Sequence, residues 1–174
     1  MKETPTGLLA MDDVRCFLGD VFDAVSYMHS WGLVHRDIKP ANLLLKEELW
    51  KARPVLKLAD FGLAAPCAQD GSLKGWGTVP YMSPEQLLNS CNEYCDMWAC
   101  GCVFAEMLLG EILVPQACWG DNAKALKHLR SGGAEAKLDL AFLRVVCEEG
   151  GAELLQQLFM FEWSSRLEAE DALA

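Results

Sequence analysis

A mostly α-helical domain with one small β-hairpin is the fold class this sequence predicts, and three observations predict it. Apolar residues recur at helical spacing over residues 12–31. Two short aliphatic runs, at 43–45 and 55–60, flank a charged linker. The most apolar stretch, residues 97–114, is followed by further helical patterns. A chain of 174 residues has room for one domain with one substantial core.

The elements follow in chain order. In the first helix Val14, Phe17, Leu18, Val21, Phe22, Val25 and Met28 keep the three-four spacing that gathers them on one face. Asp12 and Asp13 suit its positive N-terminal end, and Gly32 is a natural stop. The runs "LLL" and "VLKLAD" read as strands joined by "KEELWKARP", a hairpin with a long loop. Residues 61–95 carry Gly and Pro punctuation without sustained periodicity, and irregular segments of that length are usually functional. Residues 97–114, interrupted by Glu106 and Glu111, are too short for a membrane span and read as a buried helix. Helical patterns return around 121–130, 138–148 and 152–161, the last with a stripe of Leu154, Leu155, Leu158 and Phe159. "SSRLEAEDALA" then opens one more helix.

Composition narrows the function classes. Apolar residues at 52% and charged residues at 23% are an ordinary globular balance. A net charge of -10 argues against a nucleic-acid partner, which would need a basic patch. The eight cysteines accompany an N-terminus with no apolar core of signal-peptide length. Neither Cys91/Cys95 nor Cys100/Cys102 has zinc-knuckle spacing, and all three histidines lie elsewhere. Free, mostly buried thiols in a reducing compartment, cytoplasmic or nuclear, are the expectation.

The chemistry concentrates in "GLVHRDIKPANLLL", residues 32–45. An imidazole, a guanidinium, a carboxylate, an ammonium and a carboxamide fall within eight residues, walled by aliphatics. A core strand would not tolerate so many charges and a surface loop needs no apolar wall, whereas a catalytic loop anchored on a buried strand needs both. Four more motifs follow in order: "DFG" (60–62), "SPE" (83–85), "DMWACG" (96–101) and "SSR" (164–166). With "HRDIKPAN" (35–42) they make the chain resemble the eukaryotic serine/threonine protein kinases from the first helix to residue 174.

That resemblance implies a set of roles. Phosphoryl transfer to a hydroxyl is mostly positioning and charge neutralisation. Asp37 would accept or orient the proton of the substrate hydroxyl, and Lys39 would neutralise the transferring phosphate. Asn42 and Asp60 would offer hard oxygens to Mg2+, and 43–45, centred on Leu44, would floor the adenine of ATP. His35 and Phe61 would belong to a hydrophobic stack, with Asp96 holding the His35 backbone and Val103 and Met107 beneath the floor. Glu85 and Arg166 would form a buried ion pair. Lys39 and Thr78 follow the serine/threonine pattern, with Thr78 touching Asp37 and Lys39. Arg36 would read a phosphate on the segment 60–85, where Ser72 is the candidate acceptor.

The same resemblance implies a protein-kinase-like large lobe over residues 1–174, lacking the N-terminal β-rich lobe. No G-x-G-x-x-G occurs, and Lys2 is the only lysine before Lys39. The expected partners are a protein substrate, ATP, and the missing N-terminal lobe or an upstream segment. The chain alone is expected to be inactive. The alternative is a non-catalytic kinase-like module that docks protein partners through its peptide groove.

Overall fold

The computed structural model describes residues 9–48, 53–67, 73–131 and 150–173. Helix α1 (Met11–Ser30) buries the seven apolar residues picked out by its periodicity, Val14 through Met28. Full burial of such side chains is worth about 1.5–3 kcal/mol each. Its first turn carries Asp12 and Asp13, and its last bonds close through Trp31 and Gly32.

Four short strands follow as two nested antiparallel ladders. The inner ladder pairs β2 (Leu43–Lys46) with β3 (Val55–Leu58) in the register Leu43↔Leu58. This is the expected hairpin. The outer ladder pairs β1 (Leu33–Val34) with β4 (Ala65–Pro66), two strands too short to leave a periodic signature in the sequence. The nesting holds residues 35–42 and 59–64 between the two ladders, facing each other across the same gap. Asp20 of α1 fixes the inner hairpin to the helix. Its carboxylate takes Arg53 at 2.8 and 3.0 Å and the Leu56 amide at 2.9 Å.

The segment from 73 to 93 is irregular apart from a 3-10 turn (Val79–Tyr81) and the one-turn helix α2 (Pro84–Leu87). Ser83 and Gln86 cap α2 reciprocally, and Pro84 opens it. Helix α3 (Tyr94–Leu109) is buried almost all round, as expected of the most apolar stretch, but its limits differ from 97–114. It starts three residues earlier. It stops at Gly110, whose φ of +68° suits a residue without a Cβ, so Leu113 and Val114 reach the core from a loop instead.

Helix α4 (Asn122–Arg130) matches the pattern at 121–130, and Asp121 caps it through the Lys124 amide. The pattern at 138–148 lies outside the described residues. Residues 150–158 are helical (α5), end three residues before the expected 161, and bury Ala152, Leu155 and Leu158. The helix expected from residue 164 is not continuous. Two 3-10 turns, Trp163–Ser165 and Asp171–Leu173, flank an extended Arg166 that is drawn into the core by its guanidinium.

One main cluster of apolar side chains joins α1, α3, α4 and α5. A smaller one, Val34 with Cys91 and Cys95, lies beneath the loop at 35–37, with Cys67 and Leu73 packed against it. All seven described cysteines are free, four of them buried. The Cys91 thiol is pushed up by its hydrogen bond with Cys95 and by burial. Cys67 is pushed up to about 11, first by burial and then by its bond to Glu93. No described helix is long and apolar enough to cross a membrane.

Candidate active site

The polar loop is anchored from below by one carboxylate. Asp96, in the first turn of α3, is 1% exposed. It accepts the His35 amide and the Arg36 amide at 2.8 Å each, one on each oxygen. His29, on the last turn of α1, places its Nε2 3.0 Å from the same carboxylate. The positive end of α3 and these donors offset the cost of burying the charge. The anchor holds a strained backbone: Arg36 sits at φ +69° and Asp60, opposite it, at φ +62°. Left-handed conformations in non-glycine residues cost on the order of 1–3 kcal/mol and persist only where surrounding bonds impose them.

His35 is fully buried and fully engaged. Its Nε2 lies 3.1 Å from the Ala59 carbonyl and its Nδ1 takes the Asp37 amide at 3.3 Å. Donor at Nε2 and acceptor at Nδ1 is the neutral tautomer. Phe61 packs edge-on against the ring at 5.3 Å between centroids while keeping 54% exposure itself. With both ring nitrogens used, the imidazole is a structural tie between the two facing loops.

Above this tie three side chains converge. Thr78 donates its hydroxyl proton to Asp37 Oδ1 at 2.6 Å, and Lys39 Nζ reaches Asp37 Oδ2 at 2.7 Å and Thr78 Oγ1 at 2.8 Å. The bonding is self-consistent: the hydroxyl has one proton to give and a lone pair for the ammonium. Asn42 steadies the loop by donating Nδ2 to the Asp37 carbonyl at 2.8 Å. The same Nδ2 lies 3.3 Å from Asp37 Oδ2, so both contacts to Asp37 use the nitrogen of the amide and not its oxygen.

Asp60 follows β3 as Asn42 precedes β2, and the Ala59 amide to the Asn42 carbonyl at 2.9 Å extends the ladder between them. The two side chains therefore leave adjacent strand ends. Asp60 is exposed, with one oxygen accepting the Gly62 amide at 3.2 Å. Among the described residues no three His, Cys, Asp or Glu side chains gather as a metal site. Two hard oxygens from adjacent strand ends fit a magnesium ion that keeps phosphate and water as its other ligands.

The remaining predicted residues are spread around this centre. Leu44 and Leu45 are 55% and 50% exposed, whereas Leu43 is partly buried against the main core cluster, to which Val103 and Met107 also belong. Arg36 donates Nε to the Leu63 carbonyl at 2.7 Å and Nη1 to the Lys74 carbonyl at 3.3 Å, and lies over the Trp76 ring. Ser72 lies outside the described residues. Glu85 and Arg166 meet away from the centre in a bidentate pair at 2.6 and 3.2 Å. Sequence reasoning missed His29, six residues before His35, and Gln86, just after the Pro-Glu dipeptide. Neither carries a motif signal.

The protein kinase domain family model matches residues 2–174. The chain is 29% identical over 185 residues to the mitogen-activated protein kinase HOG1 of Cryphonectria parasitica, an alignment covering 92% of this chain and 50% of that protein. It is 41% identical over 106 residues to the serine/threonine-protein kinase PKZ1 of Phytophthora infestans, covering 52% of this chain and 26% of that protein. The chain thus spans half or less of the length of these relatives. With the family match running almost from end to end, the chain belongs to the protein kinase domain family.

Proposed function

We propose that residues 1–174 are the large lobe of an ATP- and Mg2+-dependent serine/threonine protein kinase, with a catalytic loop at 35–42 and an activation segment at 60–85. The observation that carries this reading is the Asp37–Lys39–Thr78 cluster, a carboxylate and an ammonium held by one hydroxyl on a partly buried loop. Magnesium–ATP, when bound, supplies the phosphoryl group and part of its charge neutralisation. Asn42 and Asp60 would hold the ion through their side-chain oxygens. Asp37 would orient the acceptor hydroxyl and take its proton, its side chain aimed by Thr78, Lys39 and Asn42. Lys39, already within reach of Asp37 and 22% exposed at its side chain, would stabilise charge developing on the transferring group. The lysine and Thr78 support a serine or threonine acceptor on a protein substrate.

A second body completes the site. Leu44, Leu45 and Phe61 are each at least half exposed, and Tyr27 and Trp31 extend the apolar face beside a groove of about 620 Å³ along α1 and β3. Such a face supports docking of the N-terminal lobe or an upstream segment that would cover the nucleotide. The seven cysteines among the described residues, all free, support an intracellular, reducing compartment, cytoplasmic or nuclear.

The test is radiolabelled phosphotransfer to a generic protein substrate, with Asp37→Asn as the blank. The chain alone should stay at the blank, and the chain joined to a kinase small lobe should rise above it. Turnover by the chain alone would overturn the need for a second lobe. A joined protein that never exceeds the blank would overturn the enzymatic reading.

A further inference from the structure

Gln86 is 2% exposed and spends its whole carboxamide on backbone. Its Nε2 donates to the Trp76 carbonyl at 2.5 Å and to the Arg36 carbonyl at 2.9 Å, while Oε1 takes the Ser83 amide at 3.4 Å. The Arg36 carbonyl belongs to the peptide bond leading into Asp37, and Trp76 stands two residues before Thr78. One side chain therefore ties together the two stretches whose tips form the Thr78–Asp37 hydrogen bond.

A second, independent observation lies in the "GWG" at 75–77. A Cβ on Gly75 would run into the Gln86 carbonyl. On Gly77, at φ +152°, it would stand 2.6 Å from the Arg36 carbonyl and 2.9 Å from Gln86 Nε2. Only residues without side chains let the segment press this closely. The Gly75 amide is held as well, by Asn89 Oδ1 at 3.2 Å. From the other side Arg36 grips the Lys74 carbonyl and the Trp76 ring.

We propose that Gln86 is a positioning residue for phosphotransfer: a neutral clip that presses residues 74–78 against the catalytic loop and presents Thr78 to Asp37 and Lys39 without a phosphate in the contact. The inference rests on the reading of those three residues as the reacting site. It explains why a buried glutamine should follow Glu85 and why glycines bracket Trp76. It also gives the segment a way to be ordered before any modification.

The test uses the chain as it stands, phosphatase-treated and 15N-labelled, so neither ATP nor turnover enters the readout. The Lys39 ε-ammonium signal, held by Asp37 and Thr78, should be visible in NMR, and the amides of Gly75 and Trp76 should exchange slowly. Gln86→Met should erase the ammonium signal and speed those amides roughly tenfold or more, while the α3 amides stay protected. Gly77→Ala, which pushes on the clip but leaves the Ser83 cap in place, should do the same and decides the matter if Gln86→Met disturbs the fold. Leu129→Ala, a core variant in α4 chosen to lower the melting temperature, should leave both readouts unchanged. The proposal is overturned if Gly77→Ala keeps the Lys39 signal and slow exchange, if Leu129→Ala loses them equally, or if the parent shows them only after phosphorylation. Failure of the phosphotransfer assay alone would sink the catalytic reading and leave the clip standing.

Discussion

Two ion pairs of nearly equal length, Arg166–Glu85 at 2.6 Å and Lys39–Asp37 at 2.7 Å, sit in different surroundings. The Arg166 side chain is fully buried, and all five of its N–H donors are used, on Glu85, on the Tyr94 carbonyl and on the Met160 carbonyl. Its plane also lies over the Trp98 ring. A planar fork held at every tooth cannot trade partners. Lys39 is a point charge on a flexible stem, partly exposed, sharing its ammonium between a carboxylate and a hydroxyl. It can release one partner for another at little cost. On the proposed function the second pair is the working one, and what separates it from the structural pair is not distance but the number of remaining options.

The largest effect should come from breaking the working pair. In the chain joined to a small lobe, Asp37→Asn is nearly isosteric but removes the charge that orients the hydroxyl, so phosphotransfer should fall roughly 10²- to 10⁴-fold. Its melting temperature should stay close to the parent's. Near-normal turnover in a steady-state assay would remove Asp37 from the role.

Breaking the structural pair should do the opposite. Arg166→Ala strands Glu85 and the Tyr94 and Met160 carbonyls, at a cost of roughly 3–5 kcal/mol. For a domain of this size that lowers the melting temperature by about 10 °C. A calorimetric midpoint unchanged within error would contradict the burial argued above.

Asp60 sharpens the contrast, because it is exposed and has no cation beside it among the described residues. Asp60→Asn tolerates the left-handed backbone yet loses the charge offered to magnesium. Titration calorimetry should find ATP affinity in magnesium roughly tenfold weaker or worse, about 1.4 kcal/mol, with the fold intact. Equal affinities would exclude Asp60 from holding the ion.

The smallest effect concerns a third carboxylate, Glu93, which meets a thiol in place of a cation. With Cys67 pushed up to about 11, the folded state holds its proton beyond the point where an unfolded thiol has lost it. Any stability from that contact is present below the ordinary thiol range and lost as pH rises toward 11. Iodoacetamide should therefore modify Cys67 at pH 9 on the order of tenfold or more slowly than a free thiol. Glu93→Gln should speed the reaction, and a rate unaffected by that change would place the cause in burial alone.

Much of this molecule is legible in its sequence. The seven buried residues of α1, the hairpin at 43–58 and the position of α4 all follow from short-range periodicity, which is a property of neighbouring residues. The loop at 35–42 stood out because so many charges beside aliphatic walls make sense only at an anchored site. The misses share a different character. The end of α3 at Gly110 was hidden by apolar residues on both sides, and the β1–β4 ladder by strands of two residues. The interruption at Arg166 depends on partners 81 and 72 residues away, Glu85 and Tyr94. The Gln86 clip reaches across 50 residues to Arg36.

By itself the sequence determined where α1 and α4 lie, which face of α1 is buried, and that the charged side chains crowd into the loop at 35–42, because residue type and local spacing are enough to set those. Only the tertiary structure decided which of them meet. Thr78 lies 41 residues from Asp37, His29 67 residues from Asp96, and Gln86 between two carbonyls that no motif links. Such contacts are made by single side chains across a folded core, where geometry and burial choose the partner and no local pattern records the choice.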